Sequence, residues 1–311
     1  MPRNADHRCL VLRLGLLAGL MPAAACGSLP ESDLIGALET HRTVHEDTLI
    51  ALARDFDVGY TELVAANPGV DPWLPAPDTM LVVPGAHVLP SAPREGLVIN
   101  LAEQRLYYYG DGGVETFPIG IGREGRDTPL GATRIVGRKE GPEWYPTARA
   151  RAEDPTLPAR VEAGPENPLG SHALYLGWPR YLIHGTNEPY GIGRRVSSGC
   201  IRLYPEDIVR LYGMVDEDTP VHVVDEPVKI GWSDGELYLE VHPTLDQALQ
   251  IEERGRFEQA PAIGIGALVL TLAGENADRI DWLAVQQALT ERGGVPVPIT
   301  VSPLERALAL R

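Results

Sequence analysis

Hydrophobic positions along this chain change rhythm several times. Between residues 43 and 85 the middle is helical: Leu49, Leu52, Ala53 and Phe56 stand at i, i+3, i+4 and i+7, one apolar stripe. Asp47 or Thr48 can cap that helix, because a side-chain oxygen there accepts a free backbone N–H. Thr61 is expected to cap a second short helix carrying Leu63, Val64 and Ala66, which Asn67-Pro68-Gly69 stops. Thr43-Val44 and Met80–Val83 read as flanking strands. Residues 86–95, rich in proline and polar side chains, read as a linker.

From Leu97 onward strand patterns dominate. Apolar or aromatic runs lie at 97–101, 105–109, 114–119, 133–137, 173–176, 181–184 and 221–224, with a long Pro/Gly-rich excursion over 139–170. One clear helix begins at Pro205, which suits a first turn, followed by Glu206 and Asp207 at the positive end of the dipole. Ile208, Leu211 and Tyr212 give it an inward face. Residues 228–311 read as a small α/β piece: Ser233-Asp234-Gly235 as a hairpin turn, 267–272 as a strand, and 281–291 as a helix with Ile280, Leu283 and Leu289 apolar. The expected class is α+β: a mostly β domain over 96–225, with a βααβ unit at 41–85 before it and the α/β subdomain after it.

The N-terminus has its own pattern. Arg3, Arg8 and Arg13 precede a 12-residue uncharged run, Leu14 to Ala25, that ends in three alanines. Positive, apolar and small in that order is an export signal over residues 1–25, and the run is too short to span a bilayer. Cys26 follows directly, where plain cleavage and lipidation are both open. No other segment approaches transmembrane length. The net charge of −16 becomes −18 without residues 1–25, which remove three Arg and one Asp. With no basic face visible, nucleic acid is excluded as a partner.

The three cysteines sharpen the picture. Cys9 lies in the signal and Cys26 at its end, so the folded body keeps one thiol, Cys200. In an oxidising compartment a leftover thiol is either buried and inert or reactive. Cys200 sits in Ser197-Ser198-Gly199-Cys200, not in an apolar run, and His184 ends a strand sixteen residues upstream. An unperturbed thiol is only about 3% thiolate at pH 7, so an imidazole that takes its proton and later returns it serves both halves of an acyl transfer. The Gly199 and Cys200 N–H groups are candidates to face a developing oxyanion. Arg202 offers a fork for a substrate carboxylate. Ser197, Ser198, Thr186, Tyr181 and Trp144 are further candidate substrate contacts, with Tyr190 and His172 weaker ones. One Cys and one His fall short of a zinc ligand set, so no zinc site is expected.

The segment from His184-Gly185 to Ser198-Gly199-Cys200 and Arg202 closely resembles the YkuD-type L,D-transpeptidase signature. Asn100 to Tyr107, Phe117 to Gly122, Thr128-Pro129-Leu130-Gly131 and Asn167-Pro168-Leu169-Gly170 resemble other segments of that family. Val44, Asp47-Thr48-Leu49 and Ala66-Asn67-Pro68-Gly69 resemble a LysM module, with Glu46 where such modules usually carry Gly. The whole chain resembles the ErfK/YbiS/YcfS/YnhG group of Gram-negative periplasmic enzymes. That resemblance implies a YkuD-like β-sandwich and a periplasmic, cofactor-free enzyme. It implies that Cys200 is acylated by the meso-diaminopimelate of a peptidoglycan tetrapeptide stem, with loss of D-Ala. It also implies that the Gly185 carbonyl orients His184 and that carbapenems acylate the cysteine. The acceptor would be an amine, from a second stem or from the C-terminal Lys of an outer-membrane lipoprotein. The module would bind peptidoglycan glycan. Many relatives have His where this chain has Ser198. Two rival readings stay open: a wall-binding protein with an inactive domain, and a cysteine peptidase with water as acceptor.

Overall fold

The structure, a computed structural model, describes residues 32–301. The expected export segment and Cys26 lie outside the described residues. Among those residues no helix is long and apolar enough to cross a membrane.

The N-terminal unit is a βααβ arrangement. Strand Glu39–Arg42 pairs antiparallel with Met80–Val83, and helices Leu49–Asp55 and Tyr60–Ala66 lie between them. Thr48 caps the first helix by accepting from the Ala51 N–H. Three details differ from the sequence expectation. The first strand ends at Arg42, because Thr43 closes a turn instead: its hydroxyl donates to the Ala76 carbonyl at 2.7 Å. The second helix starts at Tyr60, not after Thr61, because the Glu62 carboxylate reaches back to accept the Gly59 N–H at 2.9 Å. Residues 86–95 are not a solvated linker throughout. Ala86–Val88 is a strand paired with Leu34–Gly36, and His87, Val88 and Leu89 are buried.

The central domain is built on one mixed sheet of eight strands. Their spatial order is Ile201–Arg202, Leu182–His184, His172–Leu176, Gly131–Glu140, Pro220–Val224, Gly96–Asn100, Arg105–Gly110 and Gly113–Pro118. A separate two-stranded sheet pairs Ile121–Gly122 with Arg195–Ser197. Two pairings of the central sheet are parallel: Pro220–Val224 with Gly96–Asn100, and Leu182–His184 with Ile201–Arg202. Leu97, Ile99, Leu106, Ile135, Leu174, Ile183 and Ile201 bury one face completely, and helix Pro205–Met214 covers it with Ile208 and Leu211. Each such side chain is worth about 1.5–3 kcal/mol of transfer free energy.

Asp207 does not act as the dipole-complementing anion expected of it. It is 1% exposed, and burial together with the nearby Asp57 carboxylate pushes it up to about 8, against the opposing charge of Arg210 3.3 Å away. Unfolding returns it to an ordinary acid near 3.8. The folded state then holds a proton that the unfolded state releases, so its contribution is complete below the unfolded value and is lost as pH rises towards 8. Asp207→Asn is expected to flatten this part of the stability profile and to raise the melting temperature at pH 8 relative to pH 5. Thermal melts of both proteins across that range test this; parallel profiles would refute it.

The C-terminal piece carries hairpin Val228–Ser233/Glu236–Val241, turning at Asp234-Gly235 as expected. Helices Leu245–Arg254, Ile265–Ala273 and Trp282–Glu291 follow. The second of these replaces the strand expected over 267–272. A continuous apolar run conceals its period, and here it coils so that Val269 and Ala273, one turn apart, are buried while Leu268, Leu270 and Leu272 stay partly exposed. Leu283 likewise points outward, at 77% exposed.

A buried charge cluster joins all three parts. Arg105 donates to Glu62 at 2.7 Å. The Lys229 ammonium sits 2.6 Å from Glu103, 3.1 Å from Glu240 and 2.9 Å from the Tyr107 hydroxyl. His242 contacts Glu240 at 2.6 Å. His87, Glu103 and Glu240 offer oxygen and nitrogen atoms close enough together to hold a cation, and the Lys229 ammonium lies against both of those carboxylates. Burial alone would raise Glu62 and Glu240, but Arg105 and Lys229 outweigh it and hold both carboxyls below their ordinary range. Burial, then the charge of Arg105, lowers His87.

Candidate active site

The parallel register sets the geometry. Ile183 stands opposite Ile201 and His184 opposite Arg202. Side chains alternate along a strand, so Ile183 and Ile201 enter the core while His184 and Arg202 share the other face. Cys200 directly precedes the strand on the same alternation as Arg202. Its thiol donates to the Arg180 carbonyl at 3.6 Å.

His184 is 4% exposed, and its Nδ1 lies 2.6 Å from the Gly185 carbonyl. A carbonyl only accepts, so Nδ1 carries the hydrogen and Nε2 keeps its lone pair. Burial, then the positive Arg202, lowers His184 to about 4, and the Gly185 and Leu169 carbonyls offset this only in part. The imidazole is neutral at pH 7. Burial pushes the Cys200 thiol up, opposed by the Leu182 backbone and Arg202. The resting pair is therefore a thiol and a neutral imidazole, not a preformed ion pair.

Arg202 lies 3.8 Å from Glu188, and its Nε is buried without a hydrogen-bond partner. A partly buried guanidinium with unused donors suits an incoming carboxylate. Ser197 is structural: its hydroxyl donates to the Cys200 carbonyl at 2.5 Å and accepts the Gly199 N–H at 3.1 Å. That second bond corrects the expectation for Gly199, whose N–H is already engaged. The Cys200 N–H has no hydrogen-bond partner among the described residues, and it becomes the candidate oxyanion donor. Gly199 matters instead for its φ of +106° and its closeness to Tyr181, whose ring lies 2.9 Å from where a Cβ would be. Ser198 is exposed and accepts from Arg126 at 2.6 Å. Thr186 is buried and accepts the Glu188 N–H at 2.9 Å, a turn-forming role.

Trp144 is held within the long excursion by a bridge to Val161, and no hydrogen bond or ring contact ties it to Cys200 among the described residues. His172 packs against Tyr212 with the rings tilted by 54° and 4.6 Å between their centres, and Tyr190 is exposed. Sequence reasoning missed Arg126, which links Ser198 to Glu153 of the short helix Ala148–Glu153. It also missed Thr128, whose hydroxyl donates to the Gly199 carbonyl at 3.0 Å. The Thr128-Pro129 motif was visible, but its target 71 residues away was not.

Residues 94–223 match the YkuD family model, the L,D-transpeptidase catalytic domain. The chain is 42% identical over 279 residues to the probable L,D-transpeptidase ErfK/SrfK of Salmonella typhimurium, covering 86% of this chain and 88% of that protein. The chain belongs to the YkuD-type L,D-transpeptidase family. It is an enzyme of that class. Among its relatives, Escherichia coli YbiS is 43% identical over 253 residues, covering 79% of this chain and 81% of its own. Escherichia coli YcfS is 37% identical over 302 residues, covering 93% and 91%. Both are described as probable L,D-transpeptidases.

Proposed function

We propose that this L,D-transpeptidase acts on peptidoglycan with Cys200 as nucleophile and His184 as proton carrier. The observation that carries the reading is that one guanidinium acts on both groups: Arg202 stands opposite His184 in parallel register and lowers it, and the same charge opposes the rise of the Cys200 thiol. His184 Nε2 takes the thiol proton as Sγ attacks the carbonyl of meso-diaminopimelate in a tetrapeptide stem. A C–S bond forms, and the oxyanion faces the Cys200 N–H. On collapse the amide bond to the terminal D-Ala breaks, and the leaving nitrogen takes the proton from His184. A thioester remains. An acceptor amine then attacks it, gives a proton to His184, and the sulfur leaves as the thiol is restored. Arg202 holds a stem carboxylate.

The acceptor is the side-chain amine of a second stem or the C-terminal Lys of an outer-membrane lipoprotein, and the setting is the periplasm. The βααβ unit over 39–83, with its LysM-like sequence, is the glycan-binding element. No metal or cofactor enters the chemistry.

Intact-mass analysis tests the reading. Incubation with a tetrapeptide donor is expected to add the donor minus D-Ala to the protein, and meropenem is expected to add its own mass. Both adducts should map to the peptide holding Cys200. An adduct on another residue, or none with either compound, removes the proposal.

A further inference from the structure

The loop that joins His184 to Cys200 is held from two sides by parts of the chain outside the matched catalytic segment. From one side comes helix Tyr60–Ala66 of the N-terminal unit. Thr61 places both its hydroxyl and its N–H on the Gly193 carbonyl, at 2.6 and 3.1 Å. Gly193 has φ of +71°, and a Cβ there would lie 2.2 Å from the Tyr60 nitrogen, so the two backbones are in direct contact. From the other side comes helix Leu245–Arg254. Glu252 accepts the Arg195 N–H at 2.8 Å and the Arg194 Nε–H at 3.3 Å. The Arg195 side chain, 7% exposed, also donates to the Gly122 carbonyl at 3.3 Å and to Asp127 at 2.8 Å.

The grip reaches the thiol in few steps. Arg195–Ser197 pairs in parallel with Ile121–Gly122, and the Ser197 hydroxyl holds the Cys200 carbonyl. We infer that Thr61 and Glu252 are positioning residues for the transpeptidation: the N-terminal helix and the C-terminal helix together clamp residues 192–197 and thereby fix the attack geometry of Cys200. This rests on the assignment of Cys200 as nucleophile. It also gives both flanking units a part in turnover. A misplacement of about 1 Å in a reacting group can cost on the order of a hundredfold in rate.

The test uses the full chain. Thr61→Val removes the hydroxyl at nearly constant shape, Thr61→Ser retains it, and Glu252→Ala removes the second anchor. Thr61→Val and Glu252→Ala are each expected to lower kcat for D-Ala release about tenfold with KM unchanged. Thr61→Ser should restore kcat to within about twofold. A loosened loop should also free the thiol from the Arg180 carbonyl, so iodoacetamide should alkylate Cys200 several-fold faster in the two disruptive variants while kcat falls. A merely structural role would move both readouts only in step with the unfolded fraction, which circular dichroism measures on the same samples. Wild-type alkylation rates in both variants, a loss of kcat that only tracks the unfolded fraction in circular dichroism, or failure of Thr61→Ser to restore turnover would overturn the inference. If the wild type releases no D-Ala, the nucleophile assignment falls, and the alkylation rates still decide whether the clamp shapes the loop.

Discussion

Cys200→Ala is expected to abolish D-Ala release from a tetrapeptide donor, and His184→Gln to lower kcat/KM about a thousandfold, within the range for loss of a general base. The reason lies in the resting charge state. With the thiol pushed up by burial and His184 lowered to about 4, thiolate is scarce before substrate arrives, and proton removal must accompany attack. A glutamine amide in place of the imidazole could donate a hydrogen bond to the Gly185 carbonyl but could not accept the proton. The wild-type profile of kcat/KM against pH should be flat from about 5 to 8. It should fall as pH drops through about 4, where His184 becomes protonated and loses its accepting lone pair. Initial rates by D-Ala quantitation across that range check both parts. A His184→Gln enzyme with near-wild-type rates, or an acid limb near 6.5, would contradict the geometry.

The second large effect concerns the buried cluster. Lys229→Met is expected to destabilise the protein by about 3–5 kcal/mol, because it leaves Glu103 and Glu240 charged and buried without their cation. Adding Glu103→Gln should recover part of the loss, since one of the two stranded carboxylates is then neutral. Denaturant unfolding monitored by fluorescence measures both changes, and a Lys229→Met loss below about 1 kcal/mol would show that the charges find other partners. Acid should weaken the same cluster. Glu62 and Glu240 have folded-state values held below their ordinary range, so their stabilisation is present above about 4.5 and is lost as pH falls through the folded values. His87, also lowered, pushes in the same direction below its usual 6.5, because the unfolded chain takes up a proton that the folded chain refuses. The Asp207 effect has the opposite slope, so the two sites penalise opposite ends of the pH scale.

Much of this was legible in the sequence, and the reason is local. The strands of the central sheet are apolar or aromatic runs between turn residues, and Pro205, Thr48 and Asp234-Gly235 mark their elements by chemistry confined to a few neighbours. His184 and Cys200 stood out because a lone thiol amid Ser and Gly has little packing use. What escaped was non-local or without rhythm. The helix Ile265–Ala273 hides its period in unbroken hydrophobicity. The engagement of the Gly199 N–H depends on a Ser197 rotamer. Thr61 reads as a helix cap until its partner, 132 residues away, is known. Nothing beside Lys229 in the sequence announces that Glu103 and Glu240 surround it.

That cluster also imposes an order on biosynthesis. A chain delivered N-terminus first across a membrane presents Glu62, Glu103 and Arg105 well before Lys229 and Glu240 emerge. Until residues 228–241 emerge and form their hairpin, Glu103 lacks its ammonium partner and has reason to stay in water. Closing the central sheet over its polar seam before that point would bury Glu103 without its cation, at a cost of the same order as that of Lys229→Met.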